Sequence, residues 1–132
     1  MRTLIIDDDD ANRKILSLFL TPLGHTDAAP SGDEGLILFK KAVDDKVFYD
    51  LVVLDIMMPG MDGITTLKNM RALEGEQGVV GQEAAKILMM TAVTDKNVVV
   101  DAFRQGCDGY VIKPLDREEL FRQIKMLKLV NA

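Results

Sequence analysis

The stretch that decides the fold is Asp50-Leu51-Val52-Val53-Leu54-Asp55, which is followed at once by Ile56-Met57-Met58-Pro59-Gly60-Met61-Asp62-Gly63. An unbroken run of apolar residues leaves no polar face, which is typical of a strand buried on both sides within a parallel sheet. The turn-forming residues of the second stretch predict the end of that strand. Asp55 is therefore expected at the carboxyl end of a central strand, the edge at which open α/β sheets bind ligands.

The composition predicts one globular domain over residues 1–132, because 48% of the chain is hydrophobic and 28% is charged. The net charge of −5 argues against a nucleic-acid partner. No apolar stretch approaches the roughly 20 residues of a membrane helix, and the N-terminus shows no signal-peptide pattern. The single cysteine, Cys107, excludes an internal disulfide. These features together predict a cytoplasmic protein without a membrane partner.

Strand-like and helix-like segments alternate along the chain. Strands are predicted at 2–7, 25–29, 50–55, 86–91 and 110–113. Helices are predicted at 11–23, after the cap Ser31 to about Val43, at 64–73, at 96–105 and after the cap Asp116. Strand–helix units of this kind predict an α/β fold, with a doubly wound parallel sheet and helices on both faces. A five-stranded, flavodoxin-like (βα)5 sheet of order 2-1-3-4-5 is the natural candidate, and it places strands one and three side by side.

The connection from Glu74 to Ala85 is longer than connections in such folds usually are. It follows a helix that runs away from the ligand-binding edge, so it is expected on the opposite edge. Its glycines follow no strand and therefore predict no phosphate-binding loop. We interpret this segment as a mobile loop.

The predicted sheet brings several chemically active side chains to one edge. Asp7 and Asp8 end the first strand, Asp55 the third, Thr91 the fourth and Lys113 the fifth. Carboxylates that lie close together repel and need a cation or a proton at neutral pH, and hard oxygen ligands suit Mg²⁺. A cation together with the Lys113 ammonium would neutralise a phosphoryl group in transfer, and Asp55 would be its nucleophile. The Thr91 hydroxyl would donate a hydrogen bond to a phosphoryl oxygen.

The chain resembles the response-regulator receiver domain of two-component signalling, in its stand-alone, chemotaxis-Y-like form. The motifs that carry the resemblance are Leu4-Ile5-Ile6-Asp7-Asp8, Asp55 with Met58-Pro59-Gly60-Met61-Asp62-Gly63, Met90-Thr91-Ala92, and Gly109-Tyr110-Val111-Ile112-Lys113-Pro114. They are spread over essentially the whole chain. The resemblance implies a phosphorylation-controlled switch and not an enzyme with a separate substrate.

The resemblance also implies roles for the residues at the acidic edge. Asp55 would be the phosphoacceptor. Asp8, Asp55 and the backbone carbonyl of Met57 would bind Mg²⁺ directly, and Asp7 would act through a water. Lys113 would pair first with the acidic site and then with the phosphate.

A second set of implied roles concerns the switch. Thr91 would move on phosphorylation, and Tyr110 would change rotamer with it. The Lys113–Pro114 bond resembles one that is often cis in the family. The surface of the fourth helix, fifth strand and fifth helix would then change, with a phosphorylation-dependent homodimer as one outcome and an unidentified protein target as another.

The lifetime of the phosphorylated state depends, by the same resemblance, on the residues two after the phosphoacceptor and two after the threonine. These are Met57 and Val93, which are both apolar. Neither side chain can orient a water strongly. Slow self-dephosphorylation is therefore expected.

The phosphoryl donor is expected outside this chain. His25 is the only histidine, and it lies at the start of the second strand, on the wrong edge of the sheet. A partner histidine kinase or phosphotransfer protein is therefore predicted.

Three alternatives to the switch make different demands on the sequence. A Mg²⁺-dependent phosphatase of the haloacid-dehalogenase kind needs an Asp two residues after the nucleophile followed by Thr or Val, an ending that Asp7-Asp8-Asp9-Asp10-Ala11 lacks. A flavin-binding protein needs a phosphate loop where this chain has four aspartates. A degenerate receiver that only binds partners would not need the intact acidic set.

Overall fold

The structure is a computed structural model that describes residues 1–92 and 95–130. Within these residues the sheet has the predicted order β2-β1-β3-β4-β5, with all neighbours parallel. Its strands are β1 Arg2–Ile6, β2 His25–Ala29, β3 Leu51–Asp55, β4 Lys86–Thr91 and β5 Gly109–Ile112. The helices are α1 Asp10–Leu20, α2 Gly32–Asp45, α3 Gly63–Glu76, α4 Lys96–Arg104 and α5 Arg117–Met126.

The central strand β3 divides the hydrophobic core into two layers. Every residue of Leu51–Asp55 is buried. Val52 and Leu54 pack with Phe39 of α2 and Leu67 of α3 on one face, because successive strand side chains point to opposite sides. Leu51 and Val53 pack on the other face with residues of α1 and α5, among them Leu16, Leu20 and Ile124. The doubly wound architecture therefore follows from the apolar run that the sequence displays.

The register of the sheet brings the strand ends to one edge. Asp55 lies beside Met90, and Thr91 lies beside Ile112. Gly63, the first residue of α3, packs so closely on the end of β3 that a Cβ atom there would overlap the Asp55 carbonyl oxygen. The side chain of Asp62 caps α3 by accepting a hydrogen bond from the Thr65 backbone N–H at 2.8 Å. These contacts fold the β3–α3 turn tightly over the acidic edge.

The ends of α1 and α3 differ most from the predicted boundaries, and the other helix boundaries differ by at most two residues. The first helix ends at Leu20 and not at Leu23, and a 3-10 turn follows over Thr21–Leu23. Pro22 explains the change, since it lacks the N–H group that an α-helix needs. The helix α3 continues to Glu76, whereas the sequence predicted its end near Leu73.

The prediction of a mobile loop at Glu74–Ala85 is therefore partly wrong. Its first residues are helical, and a short 3-10 helix, Gly81–Glu83, lies near its end. The Glu74 carboxylate is only 4% exposed, accepts a hydrogen bond from the Ala85 backbone N–H at 2.8 Å and pairs with Arg71 at 2.7 Å. Arg71 also pairs with Asp108 at 2.7 Å. This network ties both ends of the connection to the edge of the sheet opposite the acidic cluster.

None of the helices in the described ranges is long and apolar enough to cross a membrane.

Candidate phosphorylation site and acidic cluster

Three carboxylates meet at the carboxyl edge of the sheet, as the sequence predicted. One oxygen from each of Asp7, Asp8 and Asp55 lies within 4.8 Å of the others. Asp7 is fully buried and Asp55 is 2% exposed, whereas Asp8 is exposed to solvent. Two of the carboxylates thus lie beneath the surface, and the third closes the site on the solvent side.

Lys113 is the cation that the structure places against these carboxylates. Its Nζ donates a hydrogen bond to Asp55 Oδ2 at 3.2 Å and lies 3.4 Å from Asp7 Oδ2. The Lys113 backbone N–H donates to the Thr91 carbonyl at 2.9 Å, and the Lys113–Pro114 bond is cis, as in the resembling motif. The end of β5 is therefore fastened to the end of β4, which directs the ammonium group toward Asp55.

The electrostatics of the cluster favour a proton or a cation on Asp55. Burial raises the pKa of the Asp55 carboxyl, the nearby Asp7 carboxylate raises it further, and Lys113 lowers it only in part, so that the pKa is about 6. For Lys113, burial lowers the pKa, but Asp55 and Asp7 together outweigh that effect and raise it. Lys113 is therefore charged at neutral pH, while Asp55 still carries an unfavourable negative charge.

The hydrogen bonding of Asp7 indicates that the three carboxylates suit a divalent cation. Asp7 Oδ1 accepts a hydrogen bond from the Asp9 backbone N–H at 2.9 Å. Asp7 Oδ2 is buried and accepts no hydrogen bond, although the Lys113 ammonium lies near it. A buried carboxylate oxygen without a donor is a costly arrangement that a cation or its bound water would relieve. The residues present therefore fit a hard cation such as Mg²⁺.

Met57, the first of the two residues expected to cover Asp55, contacts Asp55 through its backbone. Its backbone N–H donates to Asp55 Oδ1 at 3.3 Å, and its side chain is 62% exposed. The second residue of that expectation, Val93, lies outside the described residues.

The two switch candidates lie on neighbouring strands. Thr91 is fully buried at the end of β4, and Ala92 after it is exposed. Tyr110 on β5 is half-buried and packs at the margin of the core cluster that contains Met89 and Ala102. Burial raises the pKa of the Tyr110 hydroxyl. Tyr110 thus packs on a cluster that includes Ala102 of α4, the helix that follows Thr91 along the chain.

Sequence reasoning missed Arg13. Its Nη1 donates to the Asp7 backbone carbonyl at 2.7 Å, and its Nη2 donates to Asp10 Oδ1 at 3.1 Å. The available signal was helical spacing, because Arg13 lies four residues after Asp9, the residue that caps α1, and therefore faces back toward that cap.

Comparisons with known proteins identify the family of this chain. The family model described as "Response regulator receiver domain" matches residues 3–125. The chain belongs to this family, and it is a phosphoacceptor signalling switch of the two-component kind. The phosphatase alternative finds no support among these matches.

Named relatives show what the chain resembles. The transcriptional regulatory protein AfsQ1 of Streptomyces coelicolor is 37% identical over 92% of this chain and 48% of its own length. The chemotaxis protein CheY-3 of Vibrio cholerae is 36% identical, and the match covers 86% of this chain and 81% of that protein. The chain thus spans about half the length of AfsQ1 but most of CheY-3.

A solved structure has the same fold. A crystal structure of a CheX–CheY–BeF3–Mg²⁺ complex from Borrelia burgdorferi superposes with a TM-score of 0.82 at 31% identity, covering 99% of this chain and 90% of that one.

Proposed function

We propose that Asp55 accepts the phosphoryl group, from a phosphorylated histidine of a partner sensor kinase or phosphotransfer protein. The observation that carries this proposal is the position of the Lys113 ammonium, which lies between the buried carboxylates of Asp55 and Asp7. A cation fixed there would contact the oxygens of a phosphoryl group bound to Asp55. The neighbouring Asp62 is exposed and is already used to cap α3.

The transfer makes one bond and breaks one. An Asp55 carboxylate oxygen attacks phosphorus, an O–P bond forms, and the N–P bond of the donor phosphohistidine breaks, so that the imidazole leaves and takes up a proton. The Lys113 ammonium stabilises negative charge on the phosphoryl oxygens. Thr91, at the end of the next strand, donates its hydroxyl to one of these oxygens and thereby senses phosphorylation.

The acidic cluster provides the cation site. Asp8, Asp55 and the Met57 backbone carbonyl would hold Mg²⁺, with Asp7 acting through a water molecule. The ion would supply positive charge that offsets the negative charge of the phosphoryl oxygens and of the crowded carboxylates. The buried Asp7 Oδ2 atom, which accepts no hydrogen bond, supports this assignment.

The donor histidine lies outside these 132 residues in our proposal, because His25 is their only histidine. His25 begins β2 beside Arg2, at the amino edge of the sheet, and its Nε2 is paired with Asp27 at 2.9 Å. The chain assists its own phosphorylation and dephosphorylation but has no separate substrate. We place it in the cytoplasm as a single domain, with α4, β5 and α5 as the surface for its protein target or for a phosphorylation-dependent homodimer.

Intact-mass measurement after exposure to acetyl phosphate and Mg²⁺ tests the proposal. The wild-type protein should gain one phosphoryl group, and Asp55→Asn should gain none. Asp62→Asn is the matched control, since asparagine also caps helices and should leave labelling intact. Labelling of Asp55→Asn at the wild-type level would refute the assignment.

A further inference from the structure

Arg13 lies at the end of the first turn of α1, and its guanidinium turns back toward the end of β1. Its side chain is 19% exposed and bridges the Asp7 carbonyl and the Asp10 carboxylate. We infer that Arg13 is a positioning residue that holds the Asp7–Asp8 peptide in the orientation that selects Mg²⁺. This inference rests on the proposed function, because it concerns the cation site proposed there.

The contact with the Asp7 carbonyl controls where Asp8 lies. That oxygen belongs to the planar peptide unit that ends at the Asp8 Cα atom. Fixing the oxygen therefore restricts the rotation of Asp7 ψ and orients the whole peptide. The Asp8 side chain is exposed, so little packing holds it in place. The direction of its carboxylate is consequently set by the backbone that Arg13 anchors.

Arg13 also closes the turn from the helix side. Its backbone N–H donates to the Asp9 carbonyl at 3.0 Å, and the Asp9 carboxylate in turn accepts from the Ala11 backbone N–H at 2.8 Å. The Asp9 backbone N–H binds the Asp7 carboxylate. Arg13 is thus attached to both ends of a turn in which consecutive aspartates repel one another. A substitution of Arg13 keeps the backbone bond and removes the guanidinium bond to the Asp7 carbonyl.

Lys14 offers a matched comparison on the same helix. Its Nζ pairs with Asp10 Oδ2 at 3.1 Å, but its side chain is 76% exposed. Arg13 and Lys14 therefore carry the same charge and share a partner. The difference is the hydrogen bond from Arg13 to the backbone that carries Asp8.

Charge and geometry predict opposite effects when Arg13 is lost. Removing a positive charge near a cation site strengthens cation binding through Coulomb's law. Loss of positioning weakens it, and loss of a residue that supports metal ligands typically costs 10-fold or more in affinity. Mg²⁺ requires near-ideal octahedral geometry, whereas Ca²⁺ tolerates irregular ligand positions. Positioning therefore affects Mg²⁺ more than Ca²⁺, but a change of charge affects both alike.

The experiment is calorimetric titration of Mg²⁺ and of Ca²⁺ into the full chain, for wild type, Arg13→Gln, Arg13→Lys and Lys14→Gln. Arg13→Gln should bind Mg²⁺ about 10-fold more weakly and Ca²⁺ with a smaller loss. Arg13→Lys keeps the charge but lacks the planar guanidinium group that donates to two partners at once. It should therefore also lose Mg²⁺ affinity. Lys14→Gln should bind both ions at least as tightly as wild type.

The inference is overturned if Arg13→Gln binds Mg²⁺ as tightly as wild type or more tightly, if both ions weaken by the same factor, or if Arg13→Lys behaves as wild type. Asp8→Ala separates this result from the proposed site. If wild type and Asp8→Ala bind Mg²⁺ equally, the proposed ligand set is wrong and the role of Arg13 fails with it. If Asp8→Ala alone loses affinity, the site stands and only the role of Arg13 is wrong.

Discussion

The Lys113 ammonium and the Asp55 carboxylate lie 3.2 Å apart although 58 positions separate them in the chain. The contact joins the ends of two strands that are not adjacent in the sheet, since β4 runs between β3 and β5. Even with this partner, the pKa of Asp55 is about 6. The site is therefore built to receive further positive charge or to lose negative charge at Asp55.

The first prediction concerns the stability of the cation-free protein. In the folded protein the pKa of Asp55 is about 6, whereas in the unfolded chain it is about 4. Ionised Asp55 therefore lowers the free energy of unfolding above pH 6, and this loss disappears as the pH falls toward 4. Asp55→Asn lacks the effect and should be more stable than wild type by about 2 kcal/mol at neutral pH.

Thermal unfolding in a metal chelator measures this difference at about pH 7.5 and about pH 4. The variant should have the higher Tm at neutral pH, and the gap should shrink in acid. An equal gap at both pH values would show that the charge on Asp55 is not the cause.

The second prediction concerns the network at the opposite edge of the sheet. Arg71→Ala leaves the buried Glu74 carboxylate without its ion-pair partner and should cost about 3 kcal/mol in the free energy of unfolding. Arg122→Ala is the control, because the Arg122–Glu119 pair is exposed and should contribute less than about 1 kcal/mol. Chemical denaturation compares the two variants. Equal losses in the free energy of unfolding would mean that, in Arg71→Ala, the Glu74 carboxylate pairs with another group or is hydrated.

This network also shows where sequence reasoning fails. The sheet order and the acidic edge could be predicted, because apolar runs such as Leu51–Leu54 reveal buried strands and parallel strands share one carboxyl edge. The extension of α3 to Glu76 could not be predicted from the sequence, because Gly75 weakens the helical pattern. Its stability comes from contacts of Glu74 with Ala85 and of Arg71 with Asp108, which are distant in sequence.

The third prediction concerns the surface that responds to phosphorylation. The helix α4 contains Val98-Val99-Val100, a β-branched run with low helix propensity, and Phe103 on it is 47% exposed. A marginal helix that follows Thr91 is suited to shift when Thr91 moves. Beryllofluoride with Mg²⁺ should change amide hydrogen exchange in α4, β5 and α5, and Asp55→Asn should show no such change. Changes confined to residues 74–85 would contradict this prediction.

The fourth prediction concerns the lifetime of the phosphorylated state. Met57 exposes an apolar side chain two residues after Asp55, and we expect it to cover the phosphoryl group without orienting a water. Met57→Asn adds a carboxamide that can bind water, and it should speed dephosphorylation by about 10-fold. Pairing it with Val93→Glu should speed the reaction further.

The decay of phosphorylated protein after removal of the donor measures these rates. Met126→Asn makes the same exchange at another exposed methionine, which is 63% exposed on α5, and should leave the decay unchanged. If Met57→Asn decays at the wild-type rate, this position does not control the attacking water.

The central claim is that one carboxylate, Asp55, receives the phosphoryl group. The most direct measurement is to phosphorylate the wild-type protein with acetyl phosphate and Mg²⁺, reduce the acyl phosphate with borohydride, and sequence the peptides by mass spectrometry. Hydride reduction converts a phosphorylated aspartate to homoserine, so the account predicts homoserine at position 55 and unchanged aspartate at positions 7, 8 and 62. Homoserine at any of those three positions, with aspartate intact at position 55, would contradict it.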